Sequence, residues 1–215
     1  MNRKPPPKRA YDSTRRKEQA AQTRRQIVQA ARELFIARGY AGATIEAIGQ
    51  EAGVAVETVY AAFGSKRAIL ARVLEVAVGG DERPIPILER DGPRAVLRET
   101  DQHRQIEGFT ADMYAIMSRA APVFEVMRAA AKTEPDIRSL LDGILEGRLQ
   151  GMTAFVRGLM KNGPLRPGLT AAKAAETVWA VSSGEVFTLL VAERGWSEAE
   201  YKRWLADALT RLLLP

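Results

Sequence analysis

The sequence has no cysteine and one histidine, His103, which excludes disulfides, a thiol nucleophile and the usual Cys/His zinc clusters. It also lacks any uninterrupted apolar run of the roughly 18 residues needed to span a bilayer. The opening MNRKPPPKRAYDSTRRK has no apolar core of the kind a secretory signal carries. A soluble cytoplasmic protein with no membrane partner is expected. Three signatures of enzymes are missing as well: GxSxG, the phosphate-cradling GxxxxGK[ST], and HExxH. The carboxylates are scattered along polar helix faces, so neither catalysis nor a cofactor nor a metal is expected. No internal repeat and no credible strand appears, and the chain reads as all-α.

What is present is enough apolar material for two units and a charge placed at one end. The 215 residues are 46% hydrophobic, which suffices for a small domain plus a larger helical one. Residues 1–25 hold nine Lys and Arg against Asp12 and Glu18, a local net of +7 in a chain whose total is +6. The remaining 190 residues are close to neutral. With Pro5, Pro6 and Pro7 in a row, residues 1–21 read as a disordered basic arm that would lie along phosphates or enter a minor groove.

Thr44 to Phe63, TIEAIGQEAGVAVETVYAAF, carries the main signal. Ile45, Ile48, Ala52, Val56, Val59 and Phe63 recur at three- and four-residue steps, and Gly53 cuts the run in two. Two short helices result, the first capped by Thr44. Two helices crossing at roughly 90 to 120° about a turn containing Gly form the helix-turn-helix of DNA-binding proteins. Upstream, Ile27, Ala30, Ala31, Leu34 and Phe35 make the stripe of a bracing helix from Thr23 to Gly39. Downstream, Ile69, Leu70, Val73, Leu74 and Ala77 belong to a fourth helix over Lys66 to Val78.

GVAVETVYAAFGSKRAIL, with RRQIVQAARELFIARGYAGATIEAIGQEAGV before it, resembles the signature of the tetracycline-repressor family of bacterial transcriptional regulators. The resemblance covers about Thr23 to Val78. It implies that Thr44 and Tyr60 contact phosphate, that Lys66 does so at a helix start, and that Val56, Glu57, Thr58 and Ala61 face the bases. Arg24 and Arg25 would add backbone contacts. The sequence departs from many relatives in one respect: Gly39 to Ser65 contains no Lys or Arg, but contains Glu46, Glu51 and Glu57. Affinity would then rest on the arm and Lys66.

The implied domains are the arm (1–21), a DNA-binding domain (22–80) and a helical ligand-binding and dimerisation domain (81–215), with a break at Gly79 to Gly92. In the last domain, helices are expected over Gly92 to Glu99, Asp101 to Arg119, Pro122 to Lys132, Pro135 to Asn162, Thr170 to Gly195 and, behind a Ser197–Glu200 capping box, up to Leu214. The family resemblance implies a small-molecule effector and a two-fold dimer. Phe109, Met113, Tyr114, Met117, Phe124, Met127, Met152, Phe155 and Trp179 could line an apolar cavity, with His103, Tyr114 or Arg148 as polar anchors. The other reading, preferred residue by residue, is that they are simply core. Trp179, Phe187, Leu190, Trp204, Leu205 and Leu209 supply the apolar surface for a dimer seam. The function implied is a ligand-responsive repressor on double-stranded DNA. The competing reading is a sequence-indifferent architectural binder driven by the arm.

Overall fold

A computed structural model describes residues 13–215. The α-helices of this span are α1 (Ser13–Gly42), α2 (Ile45–Ala52), α3 (Val56–Phe63), α4 (Lys66–Gly79), α5 (Asp91–Arg98), α6 (Gln102–Ala130), α7 (Pro135–Asn162), α8 (Ala171–Val181), α9 (Gly184–Phe187) and α10 (Glu198–Leu213). A 3-10 turn, Ile87–Glu89, precedes α5, and α9 continues into a π-helical turn, Thr188–Glu193. Among the described residues there is no strand, and no helix is long and apolar enough to cross a membrane.

α1 begins ten residues before the expected Thr23, so residues 13–21 of the expected arm are helical; residues 1–12 lie outside the described residues. The stretch KEQAAQTRR is made mostly of good helix formers and can extend a nucleus that the buried part of α1 already provides. Ile27, Ala31, Leu34 and Phe35 of α1 meet Ile45 and Ile48 of α2, Val59 of α3, and Ile69, Leu70 and Val73 of α4 in one core. Each large side chain among them contributes about 1.5–3 kcal/mol by leaving water. Gly53 ends α2 in the left-handed region (φ 67°), which an L side chain avoids, and Val54 N–H then reaches the Gly49 carbonyl at 2.9 Å. Gly49 lets α3 close on α2: a Cβ there would sit 3.1 Å from the Val54 oxygen and 3.5 Å from a Val59 methyl.

α6 is the axis of the larger unit and packs against α1, α4, α5, α7, α9 and α10. The sequence predicts two helices broken before Pro122, but there is one, with Pro122 inside. An interior proline costs about 3 kcal/mol. Ala120, Ala121, Val123 and Phe124 around it are all buried, and their burial outweighs that cost. The opposite correction applies further on: the expected helix from Thr170 to Gly195 breaks at Ser182–Ser183. Arg148 of α7 stabilises the break. Its amino groups donate to the carbonyls of Trp179 (2.7 Å) and Ser182 (2.8 Å) and to Ser182 Oγ (2.9 Å), filling acceptors that a helix end leaves open. Ser183 Oγ caps the new helix by accepting from Val186 N–H.

α10 opens with the Ser197–Glu200 capping box and lays Tyr201, Leu205, Leu209 and Leu213 into the core. The Tyr201 ring lies against Phe187 (5.1 Å between centroids) and Tyr114 (6.0 Å), but its buried hydroxyl has no hydrogen-bond partner. Burial pushes the phenol up to about 12. Removing an unsatisfied hydroxyl from a packed ring relieves a desolvation cost. Tyr201→Phe is therefore expected to leave the thermal midpoint unchanged or raise it, by up to about 1 kcal/mol in stability; a drop of similar size in a thermal melt would mean that the hydroxyl is satisfied.

Candidate DNA-binding face and ligand cavity

α3 buries Val59 and turns Glu57, Thr58, Tyr60 and Ala61 outward, with Tyr60 51% exposed. Val56 is only partly buried and packs against the core, so less of it faces out than of its neighbours. Thr44 is exposed, and its Oγ1 accepts from Ala47 N–H at 3.1 Å, which caps α2. Thr44 and these four residues of α3, all expected to touch DNA, thus lie open on the helix-turn-helix.

The cations around them are engaged within the chain. Lys66 Nζ donates to the Tyr40 carbonyl at 2.8 Å and lies 4.2 Å from the centre of the Tyr40 ring. This ties the start of α4 to the end of α1, a structural duty that its place in the motif does not reveal. Arg24 donates to the Ala62 carbonyl, and its guanidinium sits 4.3 Å over the Phe63 ring, so it closes the C-terminal end of α3. Arg25 is exposed and bonds Gln22 at 2.9 Å. Arg67 donates from Nε to the Asp136 carbonyl at 3.2 Å and links α4 to the start of α7.

The larger unit contains a cavity of about 250 Å³ between α4, α5, α6 and α7. Of the expected lining residues, Phe109, Met113, Met117, Phe124, Met152 and Phe155 do line it. Tyr114, Met127 and Trp179 do not. Tyr114 turns to Phe187 and Tyr201, Met127 is fully buried in the core, and Trp179 packs against Arg148 and donates to the Leu145 carbonyl. On an α6 buried along most of its length, apolar periodicity cannot separate wall from core. Val78 of α4, Val96 and Leu97 of α5, Ile116 of α6 and Ile144 of α7 also line it, and apolar pattern alone does not single them out. Among the described residues, two ionisable side chains reach the wall, Asp112 and Arg148. Burial pushes the Asp112 carboxyl up and brings the Arg148 guanidinium down to about 10. His103 is not among the lining residues.

Residues 27–73 match the sequence model of the bacterial regulatory proteins of the tetR family. That segment is similar to the DNA-binding part of the tetR family. Over most of its length the chain also shares its fold with solved transcriptional regulators. PfmR of Thermus thermophilus, a TetR-family transcriptional regulator, aligns with a TM-score of 0.62 at 18% identity, over 87% of this chain and 96% of that one. Its fold is also that of NalD, the secondary repressor of the MexAB-OprM multidrug efflux pump in Pseudomonas aeruginosa (TM-score 0.68, 20% identity, 92% and 98% covered). FadR of Bacillus subtilis, solved in complex with stearoyl-CoA, shares it too (TM-score 0.67, 18% identity, 86% and 96% covered). No curated protein matches the sequence significantly.

Within this TetR-family fold, the expected dimer residues divide. Phe187, Leu205 and Leu209 are buried in the chain's own core, so they cannot supply a seam with a second copy. The amphipathic face of α10 that suggested pairing is used instead against α6 and α8. Trp179, Leu190 and Trp204 remain partly exposed, and Leu189, at 52% exposure, joins them at the surface.

Two outcomes test this site. Lys66→Met is expected to lower stability by about 1–2 kcal/mol in urea unfolding, since it removes a charged hydrogen bond and a ring contact; a merely exterior lysine would change it by less than about 0.5 kcal/mol. Asp112→Asn is expected to be more stable than wild type at neutral pH, because the raised carboxyl pKa marks a charged form that folding disfavours. That penalty is present above the folded pKa and fades as pH falls toward the unfolded value, so the difference between the two melting curves should shrink on acidification.

Proposed function

We propose that the chain is a ligand-responsive transcriptional repressor that binds a palindromic operator as a two-fold dimer and is released by a small, largely apolar molecule. The observation that carries this reading is a shared turn of helix. Val78, in the last turn of α4, forms part of the cavity wall, and the carbonyls of Ala77 and Val78 accept from Arg119 of α6 at 2.9 and 3.4 Å. A molecule seated in the cavity presses on the same turn that α6 holds. At its other end, α4 follows α3 directly. Filling the cavity thus changes the tilt of α4 and the separation of two DNA-reading heads. The effect requires that the ligand prefer one arrangement over the other.

Support for DNA reading comes from Glu57, Thr58, Tyr60 and Ala61 standing together on the outer face of α3, and from the tetR-family match over residues 27–73. Support for an effector comes from the apolar cavity and from the likeness of fold to FadR, solved with stearoyl-CoA. Pairing is suggested by the apolar surface left at Trp179, Leu189, Leu190 and Trp204. Affinity would come mostly from outside the helix-turn-helix, since Gly39 to Ser65 has no Lys or Arg while Arg15, Arg16 and Lys17 are exposed on the first turns of α1.

Selection of duplexes from a random library by the full-length protein at near-physiological salt is expected to give a palindromic consensus. Duplexes with no shared motif would indicate an architectural binder. Replacing Arg15, Arg16 and Lys17 by Gln should flatten the dependence of log affinity on log salt by about 0.9 for each phosphate no longer neutralised. An unchanged slope would remove the start of α1 from the interface.

A further inference from the structure

We infer, building on the reading of the cavity as an effector site, that the effector is a lipophilic amine, an apolar body with one protonated nitrogen that pairs with the carboxylate of Asp112. Asp112 stands on the wall of an otherwise apolar cavity, and neither of its oxygens makes a hydrogen bond or ion pair among the described residues. Its Oδ2 is fully buried. Buried polar groups in folded proteins are nearly always satisfied, so a carboxyl left without a partner in the wall of a cavity asks for a donor from outside the chain. An ammonium supplies both the donor and the compensating charge.

The position of the carboxyl is built in. A Cβ at residue 92 would collide with Asp112 Oδ1, so the acid has room beside the first turn of α5 only because that residue is Gly92. One helical turn earlier on α6, Phe109 lines the same cavity and stacks on Phe155 of α7 at 4.2 Å between centroids. Carboxylate and aromatic faces together are the surroundings that favour an organic cation. Arg148, the second ionisable group of the wall, spends both of its amino nitrogens on the end of α8 and the turn after it, but its buried Nε has no partner. A ligand carboxylate is therefore the rival counter-charge, and the probes below separate the two.

Calorimetric titration of the full-length protein with three probes of matched length tests the inference: 4-phenylbutylamine, 4-phenylbutan-1-ol and 4-phenylbutyrate. The amine is expected to bind about ten- to a hundredfold more tightly than the alcohol, as a charge-assisted hydrogen bond in a buried site does. In Asp112→Asn that preference should vanish while the alcohol binds as before. Tighter binding of the carboxylate, equal binding of amine and alcohol, or an amine preference that survives Asp112→Asn would each overturn the inference but leave the cavity an effector site. If none of the three binds, both the inference and the effector-site reading fall. Should Asp112→Asn not fold, the wild-type ranking of the three probes decides alone.

Discussion

The hold of Arg119 on the end of α4 is the contact on which the rest of the architecture depends. A helix terminus leaves its last carbonyls without partners, and water normally serves them. Here a guanidinium from the middle of α6 takes the carbonyls of Ala77 and Val78, while Gly80, in the left-handed region, returns its N–H to Val76 at 2.8 Å. The neighbouring linker is tied in the same manner: Arg90 packs on Gly79, pairs with Asp81 at 3.1 Å and donates to the Arg83 carbonyl. Arg72 of α4 donates to the carbonyl of Glu82 at 2.8 Å. A stretch rich in Gly and Pro, which in isolation would be a loose joint, thereby becomes a defined coupling between two helical units.

That coupling is polar, whereas the spaces on either side of it are apolar, and the difference matters for what can move. Apolar contacts between α4 and α6 are non-directional and tolerate sliding. The Arg119 bonds are directional and hold only over a narrow range of positions. A cavity bounded by Val78 lies next to this fixed point, so a change in what fills it is felt at α4 before it is felt elsewhere. The same logic separates Arg148 from Asp112. Both are ionisable groups brought to the cavity wall, but one closes a break in the backbone and the other closes nothing in the chain itself.

The helix-turn-helix was legible because its determinants are local. Gly53 at the turn, Thr44 at the cap and apolar residues at helical steps act within a few positions of one another, and the boundaries of α2, α3 and α4 fall where these residues put them. The start of α7 at Pro135 and the capping box of α10 were legible for the same reason. Sequence pattern failed where a distant partner overruled a local signal. Pro122 announces a helix start but lies inside α6, because burial of the side chains around it offsets the missing backbone bond; the apolar text of α8 and α9 continues through Ser182, but Arg148 fixes a break there.

The sequence alone thus determined the helical class, the DNA-reading motif, and the absence of the side chains that thiol or disulfide chemistry needs, since each follows from residue types and their short-range spacing. Only the tertiary structure decided which apolar residues of α6 and α7 surround a cavity and which fill the core, and that Phe187, Leu205 and Leu209 are interior to one chain. It alone showed that Lys66 and Arg24 brace the motif they were expected to extend toward DNA. The physical reason is common to all of these: a helix fixes its own face, but the occupant of that face is chosen by residues tens of positions away, and a single sequence does not encode that pairing in any short pattern.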